Sequence, residues 1–429
     1  MKAPKARWRA ATAVALAAGL ALTGCGRDEG GTSESTEAKA VGEGKAKGDI
    51  SVWALGAEGE KLGEIAKDFE AENPDAKVKV TVIPFDAAHD KIATAIAGNQ
   101  TPDVTLAGTT WVSEFAASGA LDPTPTDLID QDSFFEGSWD TTVVDGTSVG
   151  VPWYVETRLV YYRKDLAAKA GVTPKDDWNW DEFKAFTKAM QDKAGAKWGI
   201  SLQPGKQGSW QTYMPFAWQQ GAELTTGEEF DFDSEPMTKA LDFYASFFQE
   251  KISPTDLDPA AGELETGFIN GQIGSFVSGP WHIGILGDQG GAGFEDKWAV
   301  AQMPTEESGT SFTGGGDLVV FKDAKNRDGA WKFVDFLTQE PQQQKLYELV
   351  GSLPAVKSAW ETGKLAEDPL LTQFGDQLED AKSAPAIATW EQVAAPLDDA
   401  VERVSLGTEE SATALKTAES KANAIGFGG

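Results

Sequence analysis

Residues 50–106 read ISVWALGAEGEKLGEIAKDFEAENPDAKVKVTVIPFDAAHDKIATAIAGNQTPDVTL, and they switch repeatedly between two hydrophobic periods. Residues 50–55 are a short apolar run, the pattern of a buried strand. In 58–73 the residues Leu62, Ile65 and Phe69 recur three and then four apart, one face of a helix, and Pro74 stops it. Residues 77–85 alternate Lys, Val, Lys, Val, Thr, Val, a half-buried strand. Asp86 reads as the cap of a second helix that passes through Ile92 and Ile96 and ends at Gly98. A third strand at 103–106 and a third helix at 110–118 follow. Such alternation predicts an α/β domain on a largely parallel sheet.

Outward from this stretch the pattern changes. Residues 143–163 read as strands with an Asp145-Gly146 turn. Helices follow at 180–193, where Phe183, Phe186 and Met190 share a face, and at 210–219 and 235–249. Strands return at 298–303 and 318–321, then helices at 326–337 and 341–350, and the remainder is mostly helical. A body of about 380 residues exceeds what one core usually serves, so two domains are expected.

The chain begins MKAPKARWRAATAVALAAGLALTGC. Lys2, Lys5, Arg7 and Arg9 precede an apolar stretch too short to span a bilayer, the form of a secretory signal. Leu22-Thr23-Gly24-Cys25 resembles the lipobox of bacterial lipoproteins. Residues 1–24 are thus expected as a signal peptide and Cys25 as a lipidated first mature residue. It is the only cysteine, so it has no disulfide partner. Residues 25–48, rich in Gly, Ser, Thr, Glu and Lys, are expected as a flexible tether.

Without residues 1–24 the chain carries 33 basic and 67 acidic residues, a net of −34. A nucleic-acid binder needs a basic face, so that class is excluded. The strong acidity bears on solubility and says little about substrate. The chain also has 15 Trp and 22 Phe against 6 Tyr, an aromatic excess that suits a ligand surface.

Several blocks together resemble one family. FEAENPDAKVKVTVIPFDAAHDKIATAIAGNQTPDV (69–104), WVSEFAASGALDP (111–123), GVPWYVETRLVYYRKDL (150–166), NWDEFKAFTKAM (179–190), GQIGSFVSGPW (271–281) and AWKFVDFLTQEPQQQKLYELVGSLPAVKSAW (330–360) look like the carbohydrate-binding proteins of bacterial ABC importers, the maltose- and oligosaccharide-binding type of solute-binding protein. The resemblance covers about residues 49–425. It implies two hinge-linked α/β lobes of the periplasmic-binding-protein type (type II), with a ligand cleft between them. Lobe 1 would be 49–155 with 314–353 returning to it, and lobe 2 would be 156–313 with 354–429. The implied role is capture of a sugar or oligosaccharide outside the cell and delivery to a membrane permease by a lipid-anchored monomer. No catalytic site, metal or cofactor is implied.

Sugars present C–H faces and hydroxyl rims, so a site needs flat aromatic rings and a few fixed polar groups. Trp53 and Phe85 follow strand ends, where ligands collect in open α/β sheets. Thr110 and Trp111 follow the third strand, and by resemblance that strand end contacts sugar. Tyr154 and Glu156 lie at the presumed crossing between lobes, where by resemblance the Glu points into the cleft; Arg158 offers it an ion pair. Trp210 and Trp218 belong to a Trp-rich helix. Trp281 follows Ser278-Gly279-Pro280, where a strand ends and a helix starts. Residues 314–316 are three glycines before Asp317, read as a hinge; they lack the Lys and the following helix of a phosphate loop. Trp390 completes the set.

Two other classes stand beside this one. A secreted glycosidase needs only two carboxylates, and acidic residues abound. Neither a nucleophile elbow nor an H-E-x-x-H occurs, and His89 and His282 are the only histidines. A binding protein for another solute, such as a peptide or polyamine, would fit the acidity, whereas the tryptophans favour sugar. Tyr161 and Tyr162 are read as a pair alternating across a strand rather than as iron ligands.

Overall fold

The computed structural model describes residues 38–175, 177–206, 208–257 and 262–428. Residues 1–37, which hold the expected signal peptide, Cys25 and most of the expected tether, lie outside the described residues. Among the described residues no helix is long and apolar enough to cross a membrane.

Strand Gly48–Leu55 pairs in parallel with Ala76–Ile83 on one side and Val104–Gly108 on the other. The helix between the first two, Gly56–Glu72, buries Leu62, Ile65, Ala66 and Phe69, the stripe its sequence period demands. Phe69 meets Phe333 and Phe336 edge-on at 5.0 and 5.3 Å. Burying one such ring is worth roughly 2–3 kcal/mol. The next helix spans Phe85–Ala97 and starts after Pro84, so Asp86 lies in its first turn and is not the cap. Its charge there still suits the positive end of the helix. The third helix is split into a 3₁₀ turn, Thr109–Trp111, and a short α-helix, Val112–Ala117.

The full sheet has seven strands and is mixed rather than largely parallel. Strand Ser311–Val320 inserts antiparallel between Val104–Gly108 and Val151–Thr157. The physical reason is the route of the chain: it leaves this sheet after residue 157 and re-enters from the far side, so it must run backwards. The strand expected at 318–321 is only the second half of this one, which begins at Ser311 and passes through all three glycines. Leu353–Pro354 pairs with Val151–Thr157, and Ala381–Lys382 joins the start of Ser311–Val320.

A second sheet of three strands has Leu159–Arg163 at its centre, antiparallel to both Ser275–Ser278 and Trp298–Ala301. Tyr161 is buried against Phe276 at 4.9 Å and Trp298 at 5.5 Å, while Tyr162 on the opposite face is half-buried. Helices Trp180–Asp192, Trp210–Gln219, Glu235–Gln249, Trp390–Ser405 and Ser411–Ile425 form one aromatic-rich core. Asn179 and Glu182 close a reciprocal capping box at the start of the first of these. Asp398 caps another helix across space: its carboxylate accepts from the Gly208 and Trp210 amides, both at 2.8 Å.

Residues 38–47, expected as part of the tether, lie along the larger sheet's half as a strap. The Gly42 amide donates to Asp328, the Ala46 amide to Asn73, and Lys45 to the Glu72 carbonyl. Asn326 and Arg327 donate to the carbonyls of Lys47 and Lys39 at 2.7 and 2.6 Å. Ala46 is fully buried. A composition poor in apolar residues supplies little core, only Ala46 with Val41 packed beside it, but its polar groups suffice for pinning.

Candidate ligand cleft

Two strands form the floor. On Val151–Thr157, Tyr154 and Glu156 point to the face where Ser311–Val320 presents its glycines: Gly316 pairs with Tyr154, Gly315 with Val155, and Gly314 with Glu156. The glycines are demanded by this packing. A β-carbon on Gly316 would lie 2.5 Å from the Tyr154 ring, and one on Gly314 would lie 2.9 Å from the Phe312 ring. At Gly315 it would lie 2.2 Å from the Tyr154 carbonyl oxygen, with φ at +132°. The register then shifts between Gly316 and Asp317.

Polar groups converge on this floor. Arg158, almost wholly buried, donates to Glu156 at 3.3 Å and to Gln211 at 2.8 Å. Its guanidinium lies over the rings of Trp281 at 4.8 Å and Phe312 at 4.9 Å. Burial pushes the Tyr154 phenol well above its ordinary range, and the carboxylates of Glu58, Glu156 and Asp317 add to the effect. Glu58 accepts from Ser352 at 2.6 Å. Asp317 is 1% exposed. One of its oxygens accepts from Thr141 at 2.9 Å, and the other has no partner. Burial raises its carboxyl to about 7, with the Thr141 bond pulling the other way.

The aromatic candidates divide sharply. Trp281 opens the helix Trp281–Gly290 after Pro280, and 42% of it is exposed. Phe85 is 54% exposed and packs on Trp111 at 5.4 Å. Trp111 is half-buried, with Gly108 against its ring and His89 at its edge. Trp53 is half-buried under the Lys91 ammonium, 4.8 Å from its ring. By contrast Trp210 and Trp390 are 3% and 1% exposed, edge to face with one another at 5.1 Å, and Trp210 backs Phe312. Trp218 is buried in the same helical core. These three rings present no open face to a solute. Thr110 meets Glu391, the second residue of helix Trp390–Ser405, at 2.5 Å, which joins the two halves across the cleft.

Both histidines are tied down. Burial works to lower the His89 pKa, but its hydrogen bonds to the carboxylates of Glu114 and Asp90, and their charges, outweigh it and the net shift is upward. His282 is lowered by burial despite Glu265, and it also bonds Ser278 at 2.7 Å. The carboxylates of Asp231, Asp233 and Glu419 come within 4.8 Å of one another on the helical half, a grouping that exposed acids commonly make without a metal.

The sequence reading omitted Glu58, Lys91, Phe312, Thr141 and Ser352. Glu58 had a signal, since it opens the helix after the first strand, where ligands gather in such sheets. Ser352 had none: its partner lies 294 residues away.

Two α/β halves, joined by strands that carry polar groups between them, define a two-lobed ligand-binding protein. The sequence matches the bacterial extracellular solute-binding protein family over residues 53–344, and the chain belongs to that family. The solved structure of the sugar-binding protein MalE from the phytopathogen Xanthomonas citri superposes with a TM-score of 0.83 at 33% identity, covering 88% of this chain and 97% of that one. The diacetylchitobiose binding protein DasA of Streptomyces coelicolor is 27% identical over 76% of this chain and 77% of its own length. A maltooligosaccharide ABC transporter solute-binding lipoprotein of Streptococcus pneumoniae is 25% identical over 94% of this chain and 93% of its own.

Proposed function

We propose that this chain is the substrate-binding component of an ABC importer that captures a neutral sugar or oligosaccharide outside the cell and returns it chemically unchanged to a permease. The reading rests on one observation above others: Trp281 stands exposed beside the ion pair of buried Arg158 with half-buried Glu156, an apolar ring next to fixed polar groups. Relatives whose names specify maltooligosaccharide and diacetylchitobiose support the ligand class. The lobes are 49–155 with 314–353 and 156–313 with 354–429, and they close on the ligand. Tyr154, Glu156, Thr110, Trp53, Trp111, Phe85 and Trp281 line the site, and Asp317, Trp210, Trp218 and Trp390 support it from behind. A diacylglycerol on Cys25 holds the protein at the membrane, since two chains suffice for stable attachment.

Two measurements test this. Calorimetric titration with neutral oligosaccharides should saturate at one site, and chromatography should recover the sugar intact. Shorter products, or no heat with any sugar tried, would defeat the reading. For the anchor, Cys25→Ser should release the protein from membranes and abolish palmitate labelling.

A further inference from the structure

The outer strands of a sheet carry unpaired backbone groups, and proteins close or guard them. In the seven-stranded sheet the outer strand Ala76–Ile83 carries the exposed Lys77 and Lys79. On the other side Leu353–Pro354 is two residues long and ends in proline. In the three-stranded sheet the outer side of Ser275–Ser278 is closed. There the Gly274 amide donates to the Trp198 carbonyl at 2.9 Å, and the Ser201 amide donates to the Ser275 carbonyl at 2.8 Å. The opposite outer strand, Trp298–Ala301, reads Trp-Ala-Val-Ala and has no such device.

The direction of its free groups follows from the ladder. The Arg163 amide donates to the Gly274 carbonyl at 2.9 Å, away from Trp298, its partner in register. Bonded and non-bonded positions alternate in an antiparallel pair. Trp298 and Val300 therefore turn their N–H and C=O outward, and Ala299 and Ala301 turn theirs to the central strand. Among the described residues nothing bonds the outward groups. The next stretch of chain is closed by side chains: Trp178 donates to the Gln302 carbonyl at 3.1 Å, and Gln377 accepts from the Met303 amide at 2.9 Å.

A cavity of about 1010 Å³ borders this open edge, between helices Trp281–Gly290 and Pro369–Leu378. Its walls set the carboxylates of Glu295, Asp368 and Asp376 against Lys164, while Lys175 is already paired with Glu182. Outward N–H and C=O groups on every second residue match an extended polypeptide backbone. The excess of carboxylates favours basic side chains on it.

We propose that the outer edge of Trp298–Ala301 is a docking site for an extended, basic polypeptide segment, which adds to the sheet as a fourth strand. The proposal is independent of the sugar-binding reading.

The probe is a dye-labelled peptide Lys-Val-Lys-Val-Thr-Val, the sequence of this protein's own lysine-guarded edge at 77–82. Fluorescence anisotropy with the whole protein should saturate at one site. Val300→Pro removes an outward N–H, which an edge strand tolerates, and should weaken binding at least tenfold. A β-carbon on Gly287 meets nothing within 4 Å, so Gly287→Phe fills the cavity from the helix side. It should weaken binding as much, and it decides the matter should Val300→Pro fold poorly. Asp376→Lys should weaken binding severalfold. Absence of binding by the parent, or binding that survives Gly287→Phe, overturns the site. Undiminished binding by Asp376→Lys overturns its preference for basic segments. A parent whose light-scattering mass is a dimer, lost in Gly287→Phe, would make the occupant a second copy and overturn the proposal.

Discussion

Replacing Asp317 by Asn should stabilise the protein above neutral pH and leave it unchanged near pH 4. Asp317 sits on the strand with the three glycines, with Thr141 as its one hydrogen-bond partner and its second oxygen unsatisfied. Burial raises the carboxyl to about 7, whereas an exposed aspartate titrates near about 3.9. Between those values the folded state keeps the proton and the unfolded chain releases it. Rising pH therefore favours unfolding: this group's contribution is full below about pH 4, falls through the window, and is flat above about pH 7. A pKa difference of roughly three, at about 1.4 kcal/mol each, corresponds to about 4 kcal/mol. Asn can still accept from Thr141 and is neutral at every pH. Its amide leaves a donor unpaired, as does the protonated acid, so parent and variant should match at low pH. Urea unfolding followed by tryptophan fluorescence at pH 4.5, 6 and 7.5 measures the gap, which should widen by about 3–4 kcal/mol. Parallel stability curves, or a variant weaker than its parent at pH 7.5, would refute the reasoning.

Trp281→Ala should weaken sugar binding at least tenfold with little change in melting temperature, because 42% of the residue is exposed; calorimetry and thermal unfolding separate the two effects. Trp111→Ala should also weaken binding but lower the melting temperature, since that ring packs against Phe85, Gly108 and His89. Thr110→Val removes the hydrogen bond to Glu391 across the cleft; ligand should dissociate severalfold faster in stopped flow, about 1 kcal/mol for an exposed bond to a charged group. Gly315→Ala forces a β-carbon to 2.2 Å from the Tyr154 carbonyl oxygen at φ +132°; a loss of at least about 3 kcal/mol in urea unfolding is expected from strain and overpacking together.

Local order was legible wherever the cause was local. The stripe Leu62, Ile65, Phe69 set its helix, and the alternation at 77–85 set its strand within two residues. The long strand Ser311–Val320 was half hidden because glycine is a poor strand former in isolation. Its glycines answer to Tyr154 and Glu156, some 160 residues earlier in the chain. The strap at 38–47 was hidden for a related reason: its fixing partners are Asn73, Asn326, Arg327 and Asp328, far away in sequence. The places of the candidate residues in the fold were legible, and their orientation less so. Trp281 was placed by the strand end and Pro280 before it, and the structure leaves it open. Nothing local distinguishes Trp210 and Trp390, which the helical core encloses. A tryptophan's type says it is large and flat; which way it faces is decided by helices that arrive later in the chain.

The strap also settles the load path. Any pull delivered through the chain upstream of residue 38 enters the body at Arg327, Asp328 and Asn73, on the seven-stranded half. In a protein moored through Cys25 as proposed above, that half would be the fixed mount. If the protein opens and shuts while moored by its N-terminus, the swinging arm is the half that bears Trp281.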